Sequence, residues 1–226
     1  MRKGFVFGKF LPFHKGHEAM INFALTKCDN ITVLVCSTIT ENIDGDIRRS
    51  WISETFKDNP NVEVVVFDYL ESDLPNSSES SMEISRLWAN EFKSLLPYHS
   101  LVVTSEPYGD FVANYMGIEH IPFDLNRVIV PISATKIRNN TLENWNFLPN
   151  SVKPFFAIKV VILGTESTGK STMVKALSEH FKCSMVSEAG RDIISNSQSF
   201  DLSSLVDVVN EQTKRIEAAM VGDSQL

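Results

Sequence analysis

Short apolar runs alternate with stretches of helical periodicity through the first 140 residues. Gly4-Phe-Val-Phe-Gly8 reads as a short buried strand. His17 to Lys27 follows as a helix, with Ala19, Met20, Phe23 and Ala24 on one face. The same rhythm predicts strands at Ile31–Cys36, Val62–Phe67, Leu101–Thr104 and Val128–Val130. Helices are predicted at Ile47–Phe56, Met82–Leu96 and Pro107–Met116, with a short one from Ser133. Strict β/α alternation with short links implies an α/β fold, a parallel sheet covered by helices on both faces. Ligands of such sheets bind at the carboxyl ends of the strands. One link is unusual. Glu71 to Ser81 is serine-rich and acidic, with Leu74 its one large apolar residue, so it is expected to be mobile until a ligand orders it.

From Thr141 to Pro154 the pattern breaks. It resumes with an apolar strand, Ala157–Leu163, a helix, Lys170–Phe181, and a short strand, Cys183–Ser187. This places a domain boundary after residue 156, giving units of 1–156 and 157–226. The second holds 70 residues (226 − 156), few for a complete domain of this class, and is expected to be partial.

Composition narrows the class. A hydrophobic fraction of 43% and a charged fraction of 22% exclude wholesale disorder and fibrous repeats. No apolar run approaches the ~20 residues of a membrane span, and the N-terminus lacks the apolar core of a signal peptide. Cys28, Cys36 and Cys183, odd in number and outside any CxxC pair, suggest reduced thiols and a cytoplasmic enzyme. A net charge of −7 argues against nucleic-acid or membrane-surface binding. Glycine is scarce, 10 in 226. Four of the ten, Gly8, Gly16, Gly164 and Gly169, fall in two phosphate-type motifs.

The first motif is Gly8-Lys9-Phe10-Leu-Pro-Phe-His14-Lys-Gly16-His17, between the first strand and the first helix. Free N–H groups at such a helix start attract anions. Two imidazoles three residues apart add donors for charge developing on a phosphate, and Gly16 lets the backbone come close. Taken alone, H-x-x-H also fits two surface histidines, and a metal would need more ligands. The second half of the motif is Ile132-Ser133-Ala-Thr135-Lys-Ile-Arg138. Ser133 is a plausible N-cap, Thr135 a hydroxyl donor and Arg138 a planar fork for phosphate oxygens.

The other motif, Gly164-Thr165-Glu166-Ser167-Thr168-Gly169-Lys170-Ser171-Thr172, is a complete Walker A pattern between a predicted strand and helix. Its backbone N–H groups can wrap phosphates, with Lys170 on the β/γ oxygens and Ser171 on Mg²⁺. The plain alternative is a strand–helix turn that binds nothing. Glu188, after the predicted strand Cys183–Ser187, is a possible acid/base; a solvated helix start fits it equally.

GxFxPxHxGH and ISxTxxR at the two ends of one α/β unit resemble the Rossmann-like nucleotidyltransferase superfamily. With Ser105-Glu-Pro-Tyr-Gly109, Asp124, Arg127, Asn144-Trp145 and the Walker A stretch, the chain resembles the bifunctional nicotinamide-mononucleotide (NMN) adenylyltransferase/ribosylnicotinamide kinase proteins, the NadR type. Arg49 and Trp51 share in that resemblance. It implies transfer of AMP from ATP to NMN with Mg²⁺, giving NAD and pyrophosphate. His17 would contact the α-phosphate, and His14 and Arg138 the departing phosphates. Gly8, Lys9, Phe10, Gly16, Ser133 and Thr135 would line the ATP. The cationic nicotinamide ring favours an aromatic face; Trp88 and then Trp51 are the expected supports, with Arg49 and Tyr108 as further NMN contacts. The second unit would begin a P-loop kinase phosphorylating nicotinamide riboside, inactive at this length. Only three residues precede the first strand, so the DNA-binding repressor function known in the family is not expected. Adenylyl transfer to pantetheine phosphate or FMN, or nucleotide sensing without turnover, are the alternative readings.

Overall fold

The computed structural model describes residues 1–75, 82–194 and 201–220. Residues 76–81 of the serine-rich link lie outside that set. The chain divides into two compact units, Met1–Ser151 and Val152–Leu226.

The first unit runs β1 (Lys3–Gly8), α1 (Lys15–Leu25), β2 (Asn30–Ser37), α2 (Gly45–Thr55), β3 (Val62–Asp68), α3 (Met82–Leu95), β4 (Leu101–Thr104), α4 (Gly109–Met116), β5 (Glu119–Pro122) and α5 (Ala134–Asn139). The strands form one parallel sheet in the order β3-β2-β1-β4-β5. Alternation sorts the side chains. Phe5, Leu34, Cys36 and Val102 pack with Ala89 and Phe92 of α3 and Val112 and Ala113 of α4. Val6, Val33 and Val35, one residue out of phase, are buried too, and α1 and α2 also pack on these strands. A sheet buried on both faces needs apolar residues in both phases.

The last strand is not where the sequence pattern puts it. Gly117 ends α4 in the left-handed region (φ 73°), its N–H returning to Ala113. The chain therefore turns back at once, and Glu119–Pro122 pairs with β4. Val128–Val130 is irregular, and Val128 and Ile129 are exposed. Its three amides are spent on the Asp124 carboxylate instead of a ladder.

The second unit contains α6 (Lys153–Phe156), α7 (Lys170–Phe181), α8 (Gly190–Ile193) and α9 (Leu202–Met220). The expected strands Ala157–Leu163 and Cys183–Ser187 do not form. Neither stretch joins a sheet among the described residues, and an isolated strand is not stable in water. Val160, Val161 and Leu163 are exposed as a result.

Candidate active site

β1 and β4 are neighbours at the point where the strand order reverses, and a crevice opens beyond their carboxyl ends. It forms a cavity of about 730 Å³. Its walls come from the loop after β1, residues 40–42 after β2, the turn after β4, and the stretch 123–138.

The loop after β1 carries the histidines. Phe10 takes a left-handed φ of 49° and is buried with Phe13, which anchors the loop against the core. His14 is the N-cap of α1: its Nδ1 accepts from the amides of Gly16 (3.1 Å) and His17 (3.4 Å). With Nδ1 an acceptor, the proton of the neutral ring sits on Nε2. Burial, and secondarily the charge of Arg127, pull His14 down to about 3, so it is neutral at ordinary pH. The His17 ring stacks on it with centroids 3.6 Å apart and 18° between planes. Burial, then His14 and Arg127, hold His17 well below its usual range as well. A Cβ at Gly16 would lie 2.9 Å from His14 Cε1 and 3.0 Å from Nδ1. The glycine makes room for the imidazole, a tighter reason than backbone freedom.

Opposite, Ser133 caps α5, its Oγ accepting from the Lys136 amide at 3.2 Å. The cap fixes Thr135 and Arg138 one turn apart. Arg138 donates to Leu11 O at 2.5 Å and to Thr135 Oγ1 at 3.1 Å, tying the two motifs together across 127 residues. His14, Gly16, His17, Ser133, Thr135 and Arg138 all line the cavity, as do Gly8, Lys9 and Phe10.

Glu41, Asp124 and Arg127 also line the cavity, and Arg48, which spacing did not single out, binds its wall residues Lys9 and Glu41. Arg48 is fully buried; it donates to Lys9 O (2.5 Å), Cys36 O (3.2 Å) and Glu41 Oε2 (2.5 Å). Lys9 Nζ meets the other Glu41 oxygen at 2.9 Å. Arg48, Trp51 and Ile52 share the i, i+3, i+4 spacing of a buried face, the signal that marks Arg48. Arg127 (φ 53°) reaches Glu106 at 2.8 Å. Burial works to raise Asp124, but the amides of Val130, Ile129 and Val128 and the charge of Arg127 outweigh it and hold its carboxyl low.

Of the four side chains expected at the mononucleotide, Tyr108 lines the cavity and the other three do not. Trp51 faces the core of α2 at 5% exposure. Arg49 points to solvent and pairs with Asp46 at 3.1 Å. Trp88 packs edge-on against Tyr69 (4.8 Å) in an aromatic cluster, its indole N–H donating to Pro75 O at 3.3 Å. Trp88 is held away from the cavity by Phe67, Tyr69 and Phe92, and Trp51 lies on the buried face of α2 with Arg48 and Ile52, which spacing alone does not weigh.

Residues 5–140 match the family described as cytidylyltransferase-like. The chain belongs to that family. It is also 32% identical over 161 residues to the nicotinamide-nucleotide adenylyltransferase of Sulfurisphaera tokodaii, covering 66% of this chain and 86% of that one. The trifunctional NAD biosynthesis/regulator protein NadR of Escherichia coli is 31% identical over 212 residues, 84% of this chain and 49% of NadR. The chain thus spans about half the length of the NadR relatives it matches. A crystal structure of a NadR protein in complex with NAD and AMP-PNP shares the fold, with a TM-score of 0.75 at 21% identity, over 99% of this chain and 67% of that one.

Beyond this cytidylyltransferase-like unit, residues 159–225 match the family described as an AAA domain. Here Gly169 (φ 84°) precedes α7, and Ser167 is also left-handed (φ 61°). Lys170 Nζ donates to Thr165 O at 2.6 Å and Thr168 Oγ1 to the same carbonyl at 2.8 Å. Gly164, Glu166, Ser171 and Thr172 are exposed along the loop and the first turn of α7. Glu188 precedes α8 and pairs with Arg191 at 3.3 Å. No helix is long and apolar enough to cross a membrane, and no cluster of three or more metal-ligating side chains occurs, among the described residues.

Proposed function

We propose that the first unit transfers the adenylyl group of ATP to NMN, releasing NAD and pyrophosphate, as a step of NAD biosynthesis. One observation carries the reading: two neutral, stacked histidines face Thr135 and Arg138 across a cavity at the sheet's switch point.

A phosphate oxygen of NMN attacks the α-phosphorus, and the bond to the oxygen bridging α and β breaks. No covalent enzyme intermediate is needed, so the site acts by alignment and by stabilising charge. His14 offers Nε2–H, because its Nδ1 is occupied by α1. His17 meets the α-phosphate, where charge grows. Arg138 exchanges Leu11 O and Thr135 for the departing phosphates, a charge-assisted and stronger pairing. Gly8, Lys9, Phe10, Gly16 and Ser133 shape the ATP side. Mg²⁺, when bound with ATP, would offset the charge of its phosphates, beside Arg138 and the two histidines. Tyr108, beside Phe7 on the cavity wall, supplies the aromatic face for the pyridinium ring.

The second unit carries the phosphate loop of a ribosylnicotinamide kinase, with Lys170 and Ser171 serving ATP and Mg²⁺ and Glu188 a candidate base. The partners are ATP, NMN and nicotinamide riboside. The free thiols of Cys28, Cys36 and Cys183 support a reducing compartment such as the cytoplasm.

Purified protein with Mg-ATP and NMN is expected to form NAD, resolved by chromatography, with one pyrophosphate per NAD. Pyrophosphate released with pantetheine phosphate or FMN but not with NMN overturns the substrate. Tight binding of both nucleotides without turnover overturns the enzyme in favour of a sensor.

A further inference from the structure

His120 on β5 bridges two elements beside the cavity. Its Nε2 lies 3.0 Å from Thr104 Oγ1 at the end of β4, and its Nδ1 2.6 Å from the carboxylate of Asp110 on α4. The His120 side chain is 5% exposed and Thr104 is 3% exposed, whereas Asp110 stands in solvent.

The Asp110 carboxylate can only accept, so Nδ1 of His120 donates to it. Thr104 Oγ1 lies 2.9 Å from Glu106 O and accepts, at 3.4 Å, from the Glu106 amide. Nε2 of His120, at 3.0 Å, is the third group around that hydroxyl.

Gly109 makes this possible. A Cβ there would overlap both Thr104 Oγ1 and His120 Nε2. The glycine of Ser-Glu-Pro-Tyr-Gly is thus the gap through which the imidazole reaches the threonine. Glu106 O, held by Thr104, also accepts from the Gly109 amide at 3.2 Å. The turn so fixed carries Ser105, Glu106 and Tyr108 to the cavity wall. Glu106 in turn orients Arg127, whose charge is felt by both His14 and His17.

We propose that His120 is a positioning residue: clamped between Asp110 and Thr104, it holds the turn after β4, and through Glu106 the Arg127 guanidinium, in place to receive ATP. Its effect on turnover rests on the adenylyl-transfer reading; its effect on the turn does not.

Two substitutions separate the bonds. An asparagine amide falls near Nδ1 of the replaced ring and a glutamine amide near Nε2. His120→Asn keeps the Asp110 contact and loses Thr104, while His120→Gln keeps Thr104. Hydrogen exchange of the Gly109 amide should speed by about 10-fold in His120→Asn, as expected for one lost buried hydrogen bond. In His120→Gln it should stay within roughly 3-fold of wild type. In parallel, KM for ATP should rise about 10-fold in His120→Asn with kcat changed by less than about 3-fold, and His120→Gln should restore it. Equal behaviour of the two variants, or unchanged Gly109 exchange in both, overturns the proposal. If the wild type transfers no adenylyl group, the catalytic reading fails and the exchange comparison still decides this one. Should His120→Asn not fold, Thr104→Val against Thr104→Ser makes the same comparison, with Ser expected to retain the turn and Val to lose it.

Discussion

His14 gives its Nδ1 lone pair to the first amides of α1, and the rest of its chemistry follows from that commitment. The ring is neutral, its remaining N–H is on Nε2, and His17 stacks against it. Both histidines bind protons more weakly in the folded chain than in the unfolded one. The unfolded state therefore takes up protons first as pH falls. Stability is complete above about pH 6.5 and declines toward pH 3, where His14 itself titrates, by about 1.4 kcal/mol per pH unit for each histidine. Urea unfolding at pH 6.5, 6 and 5 should show this slope, and His14→Gln should reduce it by roughly half; an unchanged slope would mean His14 is not held neutral. Catalysis gives a second expectation. If His17 follows charge on the transferred phosphate, His17→Ala lowers kcat by about 10²-fold and KM much less, in steady-state assays of NAD formation. A loss confined to KM would make it a ground-state contact.

At the scale of elements, the loops after β1 and β2 are joined by a buried cation. Arg48 projects from α2 onto the carbonyls of Lys9, after β1, and Cys36, within β2, and onto Glu41, after β2, which also holds Lys9. Removing it takes the closer cation from the Glu41 carboxylate, whose side chain is 6% exposed, and leaves the Lys9 and Cys36 carbonyls without their donor. Arg48→Ala should therefore cost about 3–5 kcal/mol in denaturant unfolding. Arg49→Ala, which removes an exposed i,i+3 pair with Asp46, should stay within about 0.5 kcal/mol. The periodicity of α2 carries this difference, since position 48 falls on the Trp51/Ile52 face and position 49 does not. Reading charge as exposure hides it. The fifth strand was illegible for a related reason: Val128-Ile-Val130 has the better β composition, but Asp124 takes its amides, and Glu119–Pro122 gets the ladder because Gly117 turns the chain there.

At the scale of the whole molecule, the two units each carry a phosphate-type motif and divide as separate compact bodies. Lys170→Ala should leave adenylyl transfer within about 2-fold of wild type, because the histidine site lies wholly in the first unit. Phosphorylation of nicotinamide riboside by this 226-residue chain is expected to be undetectable. No strand supports the phosphate loop among the described residues, and Lys170 is turned onto the Thr165 carbonyl. Radiolabelled phosphate transfer at a Lys170-dependent rate would overturn that expectation.

The sequence by itself determined the parallel α/β unit and both halves of its cavity motif. Those features rest on local physics: a period of 2 or 3.6, a serine that caps, a glycine beside an imidazole. Tertiary structure alone decided which aromatic ring meets the cavity. Trp51 and Trp88 carry the chemistry a pyridinium favours, but Trp51 is buried on the core face of α2 and Trp88 packs with Phe67, Tyr69 and Phe92, and Tyr108 stands at the wall instead. It also decided that Arg48 is sealed inside, and that His120 reaches Thr104 across sixteen residues. Such pairings depend on how strands fall side by side in the sheet, a long-range outcome that no local pattern encodes.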